Sequence, residues 1–159
     1  MGRIALVSAM HAELKGVLAC LPDARQDVHA GRVFHLGHWH GQEVVAVLTG
    51  IGKVAAALTT TLLAERHGVS SVIFTGAAGG LHPDVRTGDW IIASHCLQHD
   101  MDASPLFPRH EVPLTGLSRF PADEGVTRRL RHAAELAVAR HGVPDHALEA
   151  LGLQTPRLH

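Results

Sequence analysis

Three short segments each follow a predicted strand and carry groups suited to catalysis or ligand binding: residues 8–13, 76–80 and 99–102. The first contains Glu13, which falls in the opening turn of a predicted helix, where the helix dipole favours an ionised carboxylate. An ionised carboxylate beside a ligand can accept a proton from water and act as a general base. Capping of the first helical turn explains the same residue, and on this motif alone capping is the favoured interpretation.

The other two segments also have a structural and a functional interpretation. Residues 76–80 are Gly-Ala-Ala-Gly-Gly, and such small residues let backbone N–H groups approach a ligand closely. A tight turn that needs positive φ angles would select the same glycines. Residues 99–102, His-Asp-Met-Asp, either bind a ligand or order the long loop that follows. Open α/β sheets bind ligands at strand ends of this kind.

Hydrophobic periodicity predicts strands that alternate with helices. The predicted strands are residues 3–9, 32–40, 42–48, 69–74 and 90–96, and the predicted helices are residues 10–21, 53–67 and 123–141. Residues 32–48 form a hairpin around Gly41, Gly68 caps the second helix, and residues 103–121 form a long loop. The pattern indicates an α/β fold with a mixed, mostly parallel central sheet flanked by helices.

The last predicted helix is amphipathic, with Asp123 as its N-cap and Gly142 as its stop. Its inward-facing positions share helical spacing and are Val126, Leu130, Ala134 and Val138. A short helical piece is expected to follow from residue 143.

Composition narrows the class of protein. The chain has 159 residues, of which 46% are hydrophobic, and 14 Lys and Arg stand against 15 Asp and Glu. This length suits one domain, and a net charge of −1 disfavours binding to nucleic acid or to an anionic membrane surface. No apolar run is long enough to span a membrane, and Glu13 and Lys15 interrupt the start too early for a signal peptide. We therefore expect a cytoplasmic protein.

Histidine and cysteine are the residue types most often associated with metal sites, and the chain has 14 histidines and 2 cysteines. His35, His38 and His40 are the densest group, but strand alternation puts His35 on the opposite face from the other two. A solvated strand face is therefore preferred to a metal site. Cys20 and Cys96 have no metal or redox spacing, so we expect two buried thiols in a reducing compartment.

Four ordered segments carry a resemblance to a known family. They are Ile-Ala-Leu-Val-Ser-Ala-Met-His-Ala-Glu at residues 4–13, Thr-Gly-Ile-Gly-Lys-Val-Ala-Ala-Ala at 49–57, Phe-Thr-Gly-Ala-Ala-Gly-Gly-Leu at 74–81 with Gly-Asp at 88–89, and residues 99–102. In this order they resemble the methylthioadenosine/S-adenosylhomocysteine nucleosidases of the nucleoside phosphorylase and nucleosidase superfamily. The likeness runs from the first strand to about Pro108 and is loose through residues 123–141.

The resemblance implies a nucleoside-phosphorylase-like fold and hydrolysis of the N-glycosidic bond of an adenosine thioether. It implies Glu13 as the base that activates the attacking water, Met10 as a substrate contact and Ile51 in the pocket for the 5′-alkylthio group. The backbone of Ala77, Ala78 and Gly79 would lie under the nucleoside. Leu106 and Phe107 fall in a loop that this family inserts into the neighbouring active site, which implies a homodimer. The family needs no metal or other cofactor.

Departures from the family pattern shape the expectation. The positions at which related phosphorylases bind phosphate through arginine hold Glu13 and Phe74 here, which favours water as the nucleophile. Ala77 replaces a hydroxyl residue of the family's glycine turn. The family's general acid and ribose-binding glutamate fall beyond residue 159, so we expect one domain that lacks its C-terminal part and has impaired activity. Asp123, Glu124, Glu135, Asp145 and Glu149 lie in no matching motif.

Three other functions stay open on the sequence. The first is a non-catalytic nucleoside-binding or assembly module that uses the same pocket, and the second is another hydrolase or phosphorylase of the superfamily. The third is a histidine-rich metal-binding protein, which the strand alternation disfavours. The sequence does not decide among methylthioadenosine, S-adenosylhomocysteine, deoxyadenosine, futalosine and other nucleosides as the substrate.

Overall fold

A computed structural model describes residues 2–141, Leu148 and residues 153–159. The predicted stop at Gly142 and most of the helical piece expected from residue 143 lie outside the described residues. The chain divides into two compact units, Met1–Gly79 and Gly80–His159, and each is treated separately below. Whether the chain is one domain, as the sequence predicts, stays a prediction.

The first unit is an α/β layer built on a five-stranded sheet. In chain order its elements are β1 (Arg3–Ser8), α1 (His11–Ala19), β2 (Arg25–His29), β3 (Arg32–Trp39), β4 (Gln42–Leu48), α2 (Lys53–His67) and β5 (Val69–Phe74). The strand order across the sheet is β2-β3-β4-β1-β5. The α/β class and the mixed sheet are confirmed. The pairings of β1 with β4 and β5 are parallel, and those of β3 with β2 and β4 are antiparallel. The strand β2, which the sequence does not predict, adds the second antiparallel pairing.

Alternation along β1 places successive apolar side chains on the two faces of the sheet. One face packs under α2 as the α2-side cluster, whose buried members are Ala5, Val7, Phe34, Val45, Val47 and Leu63. The other face packs under α1 as the α1-side cluster, whose buried members are Leu6, Leu14, Leu21, Val44 and Ala46. Helices on both faces fix the two parallel strands beside β1 and therefore fix the edge where these strands end.

Turn residues in the first unit adopt the conformations that the sequence predicts. His40 and Gly41 both have positive φ, at 50° and 80°, as the two central residues of a type I′ hairpin turn require. His40 thus lies in the turn rather than on the strand face, while His35 and His38 face opposite sides of β3. Gly68 ends α2 in the left-handed conformation, with its N–H donating to the Leu63 carbonyl.

The second unit contains little regular structure before its helix. Its elements are β6 (His95–Cys96), β7 (Phe120–Pro121) and α3 (Glu124–His141). Asp123 caps α3 as predicted, because its Oδ1 accepts a 2.7 Å hydrogen bond from the Val126 N–H. The inward-facing positions predicted for α3 are buried or half-buried, with Ala134 only 7% exposed.

Three sequence expectations are wrong. Residues 90–96 do not form a continuous strand, because strand pairing reaches only Trp90, which bridges to Leu158, and β6, while Ile92 and Ser94 make single backbone bonds to His159 and Ala122. The apolar run at residues 69–74 predicts a buried strand, but alternate residues of β5 are exposed, with Val72 at 43% and Phe74 at 60%. Cys20 and Cys96 are free and exposed rather than buried.

Candidate active site

The carboxyl ends of β1, β4 and β5 form one edge of the sheet, since all three strands run parallel. Residues 9–13, 49–52 and 75–79 follow these three ends. Backbone bonds tie the segments together: the Thr49 N–H and the Thr75 N–H donate to the carbonyls of Ser8 and Val7, each at 2.9 Å. The strand order therefore brings together two of the segments selected from sequence, those that hold Glu13 and the glycine turn.

Glu13 lies at this edge with both carboxylate oxygens hydrogen-bonded to backbone. Oε2 accepts from the N–H groups of Met10 at 2.9 Å and Ala9 at 3.1 Å, which is the capping interaction that the sequence favours. Oε1 accepts a 2.9 Å bond from the Ala77 N–H, and Ala77 belongs to the glycine turn after β5. Glu13 thus caps α1 and also holds the end of a different strand.

These backbone donors keep the carboxylate charged. The Ala77 N–H, followed by the Met10 N–H, holds the pKa of Glu13 below its ordinary value of 4.5, although partial burial acts in the opposite direction. The group is therefore ionised at neutral pH. Each carboxylate oxygen has more than one acceptor position, so a water molecule can still donate to Glu13 and lose its proton there.

The glycine turn has one position, Gly76, where a larger residue would displace Glu13 from its observed place. A β-carbon built on Gly76 would stand 2.9 Å from Glu13 Oε1 and 3.0 Å from a ring carbon of Phe74. A β-carbon on Gly79 meets nothing within 4 Å. Phe74 and the Glu13 carboxylate thus both lie next to Gly76, and an apolar ring with an anion disfavours a phosphate at this edge.

Other residues predicted at the site are exposed at the same edge. Met10 is 44% exposed and Ile51 is 81% exposed. Ile51 also lines a groove of about 870 Å³ between α1 and the β2–β3 hairpin, which His11, Arg32 and His35 line as well. Ala78 and Gly79 belong to the exposed glycine turn. The structure positions these residues, and their contacts with a substrate stay a prediction.

Sequence reasoning did not select the hydroxyl groups behind this edge. Ser8 and Thr49 are 0% and 5% exposed, and the Ser8 and Thr75 hydroxyl oxygens lie 3.3 Å apart. The Thr49 hydroxyl donates to the Gly50 carbonyl at 2.8 Å. A polar residue at the end of an otherwise apolar strand was the available signal for Ser8.

The third segment selected from sequence lies in the second unit, where its Asp102 orders the loop. Asp102 Oδ1 accepts from the Ser104 N–H at 3.1 Å and from the Ser104 hydroxyl, and this hydroxyl lowers the pKa of Asp102. The loop-ordering interpretation is the one that these contacts favour. Further along the loop, Leu106 is 84% exposed and Phe107 is half-buried.

Asp89, from the Gly-Asp pair of the second unit, has a structural role. Its side chain is 2% exposed and accepts from the Arg86 N–H at 3.0 Å and the Arg157 N–H at 2.9 Å. The His159 Nε2 lies 3.0 Å from Asp89 Oδ2. These donors, with the Arg86 N–H first, hold the pKa of Asp89 far below its usual range. The carboxylate thereby fixes residues 157–159 beside Trp90.

Neither a metal cluster nor a membrane-spanning helix is found in the part of the chain that the structure describes. No group of three or more His, Cys, Asp and Glu side chains is arranged to hold a metal ion in residues 2–141 or 153–159. The described helices are too short or too polar to cross a bilayer.

Comparison with known proteins identifies related sequences and folds. Residues 3–152 match the model of the phosphorylase superfamily. A 5′-methylthioadenosine/S-adenosylhomocysteine nucleosidase of Chromohalobacter salexigens is 45% identical over 103 residues, which are 65% of this chain and 44% of the relative. The corresponding protein of Colwellia psychrerythraea is 35% identical over 133 residues, which are 83% of this chain and 55% of the relative.

Solved structures share the fold. The nucleosidase of Neisseria meningitidis in complex with methylthio-immucillin-A has a TM-score of 0.81 and 27% identity, and the match covers 86% of this chain and 59% of that one. The chain thus spans about half the length of the curated relatives it matches.

Proposed function

The chain belongs to the phosphorylase superfamily, among the methylthioadenosine/S-adenosylhomocysteine nucleosidases, and on that premise we propose that it acts in hydrolysis of the N-glycosidic bond of adenosine thioethers. The products are adenine and a thioribose. The observation that carries the proposal is the ionised Glu13, held by backbone from two parallel strands at the edge where such sheets bind ligands. We propose that this reaction belongs to purine nucleoside metabolism and methionine salvage.

The proposed step uses Glu13 as the base. A water molecule donates one proton to the Glu13 carboxylate while its oxygen bonds to C1′ of the ribose. The bond between C1′ and the adenine nitrogen breaks, and its electron pair leaves with adenine, which then takes a proton. The negative charge of Glu13 also stabilises the positive charge that develops on the sugar.

Substrate contacts follow from the same edge. In this proposal the exposed side chain of Ile51 contacts the 5′-alkylthio group, Met10 contacts the substrate, and the backbone of Ala77, Ala78 and Gly79 lies under the nucleoside. By resemblance to the family, protonation of adenine and binding of the ribose hydroxyls involve residues outside the matched motifs. No cofactor takes part in this proposal.

We extend the proposal to a homodimer. Leu106 is 84% exposed at a turn, and Phe107 follows it, so the pair presents an apolar tip. A second copy that accepts this tip would complete the alkylthio pocket. The two free cysteines suit a reducing compartment, and we place the protein in the cytoplasm.

The test measures adenine release and ligand binding with the same protein. Methylthioadenosine is incubated with the 159-residue chain, with Glu13→Gln, and with Glu65→Gln as the control, because Glu65 is exposed on α2. Adenine release that falls about 10²- to 10⁴-fold in Glu13→Gln alone supports the proposal. Release that Glu13→Gln leaves unchanged would refute Glu13 as the base.

Calorimetry with methylthioadenosine and adenine separates the alternative function. The alternative is a non-catalytic nucleoside-binding module that uses the same exposed residues after β1 and β5. Saturable binding with no adenine release would establish that module and overturn hydrolysis by this chain. A protein that neither binds these ligands nor releases adenine would overturn both functions.

A further inference from the structure

Position 76 is restricted by the space beside Glu13 and not by its backbone conformation. Gly76 is not among the glycines with positive φ, so its backbone is open to other residues. Space restricts the position instead: a β-carbon there would lie 2.9 Å from Glu13 Oε1, 3.1 Å from Glu13 Cδ and 3.0 Å from the Phe74 ring, so the Glu13 side chain would have to shift. Glycine at this position therefore makes room for the carboxylate itself.

We propose that Gly76 is a positioning residue for Glu13: its missing side chain lets the Ala77 N–H bind Glu13 Oε1 and so fixes the carboxylate against the end of β5. The catalytic meaning of this positioning rests on the proposed function. The positioning itself concerns only the groups of Gly76, Ala77 and Glu13, all of which belong to the first unit.

The two carboxylate oxygens have separate anchors, so the positioning is distinguishable from capping. Oε2 is held by the N–H groups of Ala9 and Met10, at the start of the same helix. Oε1 is held by Ala77, which is 64 residues away along the chain. A β-carbon at Gly76 would act first on Oε1, the nearer oxygen, and would release the carboxylate from the end of β5.

The Gly76→Ala variant makes that change. Its new methyl group would overlap Oε1, and the Glu13 side chain must turn away from Ala77 to relieve the overlap. Loss of the Ala77 hydrogen bond, which is the largest cause of the lowered pKa of Glu13, then moves that pKa upward. The same rotation moves the base away from the position it holds over the glycine turn.

Gly16→Ala is the matched control. Gly16 lies in the same helix as Glu13, and a β-carbon there meets nothing within 4 Å. Alanine also has a higher helix propensity than glycine. The control thus makes the same chemical change in α1 and leaves the Glu13 carboxylate in contact with Ala77.

The measurement is the titration of the Glu13 side-chain carboxyl carbon by NMR in the 159-residue protein. We expect the midpoint to rise in Gly76→Ala and to stay at the wild-type value in Gly16→Ala. An unchanged midpoint in a folded Gly76→Ala protein would overturn the proposal. If the protein releases adenine, the acid limb of the rate profile should move upward with the midpoint, which a general loss of stability would not produce.

A wild-type measurement covers the case in which Gly76→Ala does not fold. The Ala77 amide proton resonance should shift with the midpoint of Glu13 titration, because its hydrogen-bond acceptor gains a proton there. Glu13→Gln should abolish this shift. An Ala77 resonance that ignores the Glu13 titration would refute the positioning. A titrating Ala77 in a protein that releases no adenine would refute the proposed function and leave the positioning intact.

Discussion

Leu63 in α2 provides a sharp test of what holds the sheet and its helix together. It is 0% exposed and belongs to the α2-side cluster. We predict that Leu63→Ala lowers the free energy of unfolding of the first unit much more than Leu58→Ala, since Leu58 on the same helix is 43% exposed. Both variants remove the same atoms, so the difference measures burial alone.

The magnitudes follow from burial. Truncation of a fully buried leucine to alanine loses three carbons at about 0.8 kcal/mol each. A cavity left at Leu63 raises the total loss to about 3–5 kcal/mol. At Leu58 about half of the area is already in water and no closed cavity forms, so the loss is about 1 kcal/mol. We therefore expect a difference of about 2–4 kcal/mol between the variants.

Urea unfolding followed by Trp39 fluorescence is the suitable assay. Trp39 packs against the α1-side cluster, whereas Trp90 belongs to the second unit, so a Trp90→Phe background isolates the first unit. The midpoint should fall in Leu63→Ala at an unchanged slope. Equal losses of unfolding free energy in Leu63→Ala and Leu58→Ala would refute the burial of Leu63 between α2 and the sheet.

Two further predictions concern acid stability and helix capping. Burial lowers the pKa of His67 from its ordinary value of 6.5, and the charge of Asp27 partly offsets this effect. Below pH 6.5 the unfolded chain therefore binds a proton at His67 more readily than the folded chain does. The free energy of unfolding falls as the pH drops toward the pKa of His67 in the folded chain. Urea unfolding between pH 7.5 and 5.5 should show a shallower loss in His67→Leu, and parallel losses would contradict this. Asp123→Ala should cost about 1 kcal/mol of stability in α3 through the lost bond to Val126, whereas Asp123→Asn retains the cap; Trp90 fluorescence checks this, and equal losses would argue against capping.

Local pattern was sufficient for the elements with strong periodicity. The bounds of β4, α2 and β5 agree with those predicted from apolar spacing and from Gly68. In β5 half-buried and exposed residues alternate, in β4 the apolar run is buried on both faces, and in α2 the buried residues recur every four positions. In these elements the apolar pattern and the local conformational signals, such as Gly68, indicate the same bounds.

Elements defined only by their partners were not predictable in this way. The strand β2 contains Gln26, Asp27 and His29, and it is a strand because β3 pairs with it along its whole length. Conversely, residues 90–96 are apolar enough for a strand, but only short stretches of them find a backbone partner. Strand formation depends on long-range pairing, and no local window of sequence contains that information.

The candidate site divides in the same way. Parallel strands were enough to predict that Glu13 and the glycine turn, which follow β1 and β5, lie at the same edge of the sheet. The bond from Ala77 to Glu13 was not predictable, because its donor is a backbone N–H that every residue except proline carries. Only the small size of Gly76 left a trace of it in the sequence, where a tight turn with positive φ predicts the same glycine, and the structure shows no positive φ there.

The two interpretations of Glu13 are therefore not alternatives. Capping accounts for the bonds to Oε2 and would be satisfied by the helix start alone. It does not account for the bond from Ala77 to Oε1, nor for a turn shaped to admit the carboxylate at Gly76. A cap holds the side chain by one oxygen, and the contact across the strands orients the other. A carboxylate oriented by both anchors has the fixed position that proton transfer from a bound water requires.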